Sequence, residues 1–148
     1  MATMTHRQRW RSEEGSELIE FALVTPILIL LLAGIFDFGM MFRSYEVVTN
    51  AAREGARVGV LPGYGATDVQ TRVDAYLGAS GLTGARTTNV VDGPVTTGAG
   101  TFTARSVTVS YSYPFVVLGP VGAAFGGTFG TIQLRAAAAM RVEAAATP

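Results

Sequence analysis

The chain has no cysteine and no lysine, and its one histidine is His6. Without cysteine there is no disulfide framework and no thiolate chemistry. With a single histidine there is no Cys/His metal set, and no carboxylate cluster or nucleophile–base pair stands out along the chain. Charge is scarce and balanced, with eleven arginines against eleven acids in 148 residues, so no net field draws the protein towards nucleic acid. These absences argue against an enzyme. They predict no cofactor, no nucleic-acid partner and no small-molecule substrate.

What the chain does have is one long apolar run. Phe21 to Phe36 is sixteen residues without a charge, interrupted only by Thr25 and Pro26. At about 1.5 Å per residue it covers roughly 24 Å. Leu18–Ile19 and Phe38–Phe42 carry it past the ~30 Å hydrocarbon core of a bilayer. A segment apolar on every face cannot be a buried helix of a soluble domain this small, so it reads as a single-pass membrane anchor. Arg7, Arg9 and Arg11 before it predict a cytoplasmic N-terminus and an extracytoplasmic C-terminal part, partly balanced by Arg43, Arg53 and Arg57 beyond it. A conventional cleaved signal fits poorly, because cutting after Ala33 or Gly34 puts Leu31 or Leu32 where a small residue belongs. Pro26 predicts a kink near residues 22–26. Asp37 falls roughly 32 Å along the helix from Ser16, at the outer interface, where a solvated acid costs little.

Glu20 is the odd residue. A carboxylate at the centre of a membrane helix costs about 2.5–3.5 kcal/mol. Near the end it costs less, since the side chain snorkels to the interface. Taken alone, Glu20 reads equally as an inert interfacial acid. Its neighbours add more. Gly15-Ser16-Glu17-Leu18-Ile19-Glu20-Phe21 resembles the processing site of type IV pilin-like proteins, a glycine followed by a helix whose fifth residue is glutamate. The continuation from Glu20 to Gly39, followed by Ala51-Ala52-Arg53-Glu54-Gly55-Ala56-Arg57-Val58-Gly59, is similar to the TadE-like family of tight-adherence pilus assembly proteins. The likeness covers roughly residues 14–59, with Glu20-Phe21, Pro26, Asp37-Phe38-Gly39 and Ala52 to Arg57 as its marks. It implies a membrane-embedded prepilin peptidase cutting between Gly15 and Ser16. Glu20 then guides recognition or pairs with the new N-terminus of a neighbour.

Beyond the membrane the helix is expected to continue over Ser44 to Val58. Ala51, Gly55 and Gly59 form a small-residue stripe at four-residue spacing, which lets another backbone approach closely. Packing on the protein's own sheet is preferred over a helix–helix interface. Glu54 and Arg57 stand at i, i+3. Leu61-Pro62-Gly63-Tyr64-Gly65 breaks the helix. Thr67 with Gln70 reads as a capping box for a short helix over residues 68–77, with Val69, Val73 and Leu77 on one face and Gly78 as its stop.

Strand signals follow. Arg86 to Asp92 is a first strand, closed by Asp92-Gly93-Pro94 and a loop from Thr97 to Gly100. Val107, Val109, Tyr111 and Tyr113 alternate with polar residues, and the two tyrosines are assigned to the core. Ile132, Leu134, Ala136, Ala138, Met140 and Val142 alternate with Gln133, Arg135, Arg141 and Glu143. Between these strands, Phe115 to Gly130 is apolar and too broken by glycine and proline for a second span. It reads as a buried connection or as an exposed apolar patch.

The expectation is an α+β protein: a long N-terminal transmembrane helix continuing as an amphipathic spine, packed on a small extracytoplasmic antiparallel β-sheet with one short extra helix. The segments are a basic leader at 1–15, a transmembrane helix at 16–43, a helix extension at 44–60 and a β-rich domain at 61–148. The resemblance implies a minor pilin-like (pseudopilin) component of a tight-adherence type IV pilus or related secretion machine. Its place would be the bacterial inner membrane or the pilus itself, and its partners a prepilin peptidase, other pilins and pilus assembly proteins. The alternative from another class is an uncleaved, membrane-anchored extracytoplasmic scaffold or binding module.

Overall fold

The structure is a computed structural model that describes residues 7–98, 100–124, 126–127 and 130–142, with side chains from Gly15 onward except Thr97. His6, Ala99, Phe125, Thr128, Phe129 and Glu143 lie outside the described residues. α1 (Arg7–Gly59) is a single helix of 53 residues that runs on through Pro26. The large apolar side chains from Leu18 to Leu32 all stand exposed. The helix from Gly15 to Gly59 is long and apolar enough to cross a membrane. From Asp37 onward one face turns inward, with Asp37, Ser44, Val48, Ala51, Ala52, Gly55, Ala56 and Gly59 buried. The same helix therefore has a first half whose large apolar side chains stand bare and a second half built into a core.

That core has three sides. α2 (Ala66–Ala79) lays Val69, Val73 and Leu77 on the spine. β1 (Arg86–Thr97), β2 (Gly100–Tyr113) and β3 (Ile132–Arg141) form an antiparallel sheet in that order, with Val90 opposite Val107 and Tyr111 opposite Leu134. β2 alternates as its sequence requires: Val107, Val109, Tyr111 and Tyr113 face the spine, and Leu134 and Ala136 of β3 join them. The two tyrosines are core residues, and the alanine-rich stretch from residue 136 to 139 is strand.

Several details differ from the sequence reading. β1 does not stop at Asp92 but continues through Gly93 and Pro94 to Thr97. It is an edge strand, where a proline without an N–H breaks no ladder. α2 starts earlier than its predicted cap: Gly65 is the N-cap residue, and its N–H donates to the Asp68 carboxylate at 2.8 Å. Thr67 lies inside the helix, where its carbonyl accepts from the Thr71 hydroxyl. The Phe115 to Gly130 connection contains a second short helix, α3 (Leu118–Ala124).

The small-residue face sets how close the spine comes to its neighbours. A Cβ at Gly55 would lie 2.7 Å from Val73 Cγ2 and 3.2 Å from Val107 Cγ1, so the site is filled from both α2 and β2. Gly55→Leu is expected to destabilise the domain by about 1–3 kcal/mol through overpacking. Gly78 lies in α2 with nothing near its Cβ position. There Gly78→Ala is expected to stabilise by about 0.5–1 kcal/mol through helix propensity. Thermal unfolding of the detergent-solubilised proteins, followed by circular dichroism, reads both signs. Equal midpoints for Gly55→Leu and the parent would mean the spine does not seat here.

Candidate functional site

The residues singled out by the sequence fall into two groups along α1, and the structure does not bring them together. Gly15, Ser16 and Glu20 lie at the near end of the exposed half. Ser16 and Glu20 are exposed, and a Cβ at Gly15 would meet nothing within 4 Å. The Gly15–Ser16 peptide is inside the helix. A protease takes its substrate extended, so cutting here requires local unwinding, which a glycine eases. Ala51, Gly55 and Gly59 lie in the other half, buried against α2 and β2. A Cβ at Gly59 would meet Arg105 Cδ at 2.8 Å and Val69 Cγ2 at 2.9 Å.

Between the two groups sits Asp37, and here the structure departs from the sequence reading. Rather than standing solvated at an interface, its side chain is fully buried. Oδ1 accepts the N–H groups of Val116 at 3.0 Å and Val117 at 3.1 Å, and Oδ2 accepts those of Val117 at 3.0 Å and Leu118 at 2.7 Å. A carboxylate at the start of a helix satisfies donors that have no partner within it and complements the positive end of its dipole. In this way an acid on α1 caps α3, which is 79 to 81 residues away in the chain. The Tyr113 hydroxyl lies 3.5 Å from the Asp37 carbonyl oxygen. Burial raises the Tyr113 pKa above its ordinary value, and the charge of Asp37 and the neighbouring Tyr111 add to this. A sequence signal for Asp37 did exist: Asp37, Ser44, Ala51 and Val58 recur at seven-residue steps, two helical turns apart, and all four are buried.

Two arginine clusters hold the far end of the spine. The Arg105 guanidinium donates to both oxygens of Asp92, at 2.7 and 2.8 Å, in a paired fork. Its Nη1 donates to the carbonyls of Gly59 and Tyr64, so one β2 side chain neutralises the carbonyl end of α1. The Asp92 carboxyl is held below its usual range by this hydrogen bond. Glu54 pairs with Arg57 on its own helix and with Arg72 on α2, Nη2 lying 2.8 and 2.7 Å from Oε1. The Arg57 pair was legible at i, i+3; the Arg72 pair crosses between helices and was not. Arg86 of β1 pairs with Asp74 of α2 in the same manner.

Asp37→Ala leaves three donors at the start of α3 without their acceptor, at about 1–3 kcal/mol for each one that stays buried. Amide hydrogen exchange in a peptide spanning residues 114–124 is expected to accelerate strongly, while β2 peptides keep their protection. Unchanged exchange there would show that α3 is held by other contacts. A second expectation concerns acid. The two arginines lower the Glu54 pKa from the ordinary 4.5 to about 2, the hydrogen bond from Arg57 contributing most and that from Arg72 next. A depressed folded-state pKa stabilises above the unfolded value and loses that contribution as pH falls through the folded one. The difference in stability between the parent and Glu54→Gln is therefore expected to be constant above pH 5, shrinking from about 4.5 down to about 2. It is small throughout, because both arginines stand half in water. Unfolding titrations of the pair across this range measure it; a difference that grows on acidification contradicts the assignment.

Neither the curated proteins nor the solved structures contain a match to the chain. The family model described as TadE-like protein matches residues 15–57. That stretch opens at Gly15, spans the exposed run, includes Asp37 and ends two residues short of the end of α1: it is a TadE-like domain.

Proposed function

We propose that the protein is a minor pilin-like component of a tight-adherence pilus or related secretion machine, anchored in the bacterial inner membrane by residues 16–43. The N-terminus lies in the cytoplasm and the domain from residue 61 onward lies outside. Residues 1–15 act as a leader, removed by a prepilin peptidase between Gly15 and Ser16. The observation that carries this reading is the coincidence of three features on one helix. The TadE-like match begins at Gly15, the bare apolar run starts within one turn of it, and the spine beyond Asp37 carries a folded domain.

Glu20 takes a separate role. Once the leader is gone, Ser16 begins the helix with a free amine, and a carboxylate one turn on can pair with the amine of an adjacent subunit. At the headgroup boundary such a pair is worth more than the ~0–1 kcal/mol of an exposed one. Neighbouring pilins would pack their exposed apolar helices together around these pairs. The helical state of the Gly15–Ser16 peptide favours a second reading, in which the chain stays uncut as an anchored extracytoplasmic scaffold.

The intact mass of the protein purified from its native membrane separates the two. Loss of residues 1–15 is expected; a protein that still begins at Met1 leaves the uncut scaffold as the better reading. Gly15→Leu is expected to retain the leader, because a side chain hinders close approach of the scissile bond to the peptidase. Glu20→Ala is expected to lose the leader yet fail to co-purify with the assembled structure. Normal incorporation of Glu20→Ala would remove the pairing role.

A further inference from the structure

We propose that α3 and its entry segment, residues 114–124, are a second lipid contact, lying at the boundary between headgroups and acyl chains beside α1. This rests on the anchor reading above. The first support is position. Asp37 lies about 32 Å along α1 from Ser16, where a ~30 Å hydrocarbon core ends, and it holds the first turn of α3 at that height. From there Leu118 faces an apolar groove formed with Ile27, Leu31, Gly34 and Phe38, so α3 begins packed on the exposed run rather than away from it. Ala33, one turn before Asp37, is buried among exposed neighbours.

The second support is composition. No charged residue occurs between Arg105 and Arg135. The side chains that the segment leaves exposed include Pro114, Val116, Pro120 and Ala123, all of them apolar.

The third is the fate of the backbone, and it points to lipid more sharply than to water or a protein partner. Hydrocarbon supplies no hydrogen bonds, so a backbone that enters it must satisfy its own polar groups. At the start of α3, Asp37 accepts the N–H groups of Val116, Val117 and Leu118, Pro120 has no N–H, and Val121 donates to the Val117 carbonyl at 3.2 Å. At its end, the N–H groups of Gly127 and Gly126 return to the carbonyls of Gly122 at 2.8 Å and Ala123 at 3.2 Å, with Gly126 at φ 74° to make the reversal. Donors at the start of this seven-residue helix and two carbonyls at its end are thus taken up from within the protein. Two lipid contacts on one rigid body fix the depth of the spine and its rotation about its own axis.

Single-tryptophan reporters test this in the full chain, with Trp10→Phe as background. The protein is reconstituted in phosphatidylcholine–phosphatidylglycerol vesicles and probed with acrylamide and with lipids brominated near the glycerol end or deep in the chain. Leu28→Trp reports the span, Val91→Trp the exposed face of β1, and Val116→Trp the entry to α3. Val116→Trp is expected to lose at least half its emission to the shallow bromines and to resist acrylamide. Asp37→Ala in the same background is expected to return it to acrylamide. If Val116→Trp is as open to acrylamide as Val91→Trp while Leu28→Trp is quenched by the deep bromines, α3 stands in water and the proposal is overturned. Shielding from both quenchers that disappears when protein is diluted in lipid would mean that a second copy covers α3, which also overturns it. A Leu28→Trp reporter open to acrylamide removes the anchor and the proposal with it.

Discussion

A three-stranded sheet with one apolar face must be covered, and here one face of a single helix does most of the covering. That face carries alanine and glycine where a larger side chain would hold the helix off. Val48 and Ala51 are fully buried, and Gly55 lets Val73 of α2 and Val107 of β2 both close over the backbone. The spine joins the sheet and α2 in one core, with Val69, Val73 and Leu77 of α2 and Val107 and Val109 of β2 packed in the same cluster as its small-residue face. The small domain is therefore packed as an extension of its long apolar helix.

Along α1 the side chains change from mostly bare to packed in protein, and Asp37 marks the change. Before it, greasy side chains point outward in all directions; after it, burial follows a helical period. An acid at such a boundary would be costly if left dry and unpaired. The structure avoids the cost by giving its carboxylate the amide hydrogens of a distant segment. The result is a tie between spine and connection that packing alone would not provide, since α3 is too short and too glycine-rich to hold itself in place. At the opposite end Arg105 performs the converse task, closing the carbonyl end of α1 with a cation held by Asp92. The helix is fixed at two heights, by an anion where the domain begins and by a cation where the helix ends.

Much of this was legible in the sequence because its periods are strong. Sixteen uncharged residues, the alternation from Val107 to Tyr113 and the break at Leu61 to Gly65 each specify one local structure, and those elements came out as read. The errors have a common cause, that a single residue was judged by its sequence neighbours. Pro94 looked like a terminator because proline ends central strands, but β1 is an edge and position in a sheet is a tertiary fact. Thr67 looked like a cap because its side chain suits the role, but Asp68 reaches the Gly65 amide first. Asp37 looked like an interfacial acid because its partners are some eighty residues away, and only its place in the seven-residue burial series hinted otherwise. The roles of Gly15 and Glu20 rest on resemblance, since their chemistry needs a peptidase and a neighbouring subunit.

The TadE-like stretch ends at Arg57, so it contains nearly all of the spine and none of the sheet. Several contacts that hold the domain together nonetheless cross that limit: Asp37 to Val116–Leu118, Gly55 to Val73 and Val107, and Glu54 to Arg72. The matched segment supplies an apolar span, an acid at its outer end and a small-residue face. Whatever follows must provide backbone donors for the acid and a curved apolar surface for the face. Those are demands on shape and hydrogen bonding, and they leave strand sequence largely open. A sheet can satisfy them with many combinations of valine, tyrosine and alanine.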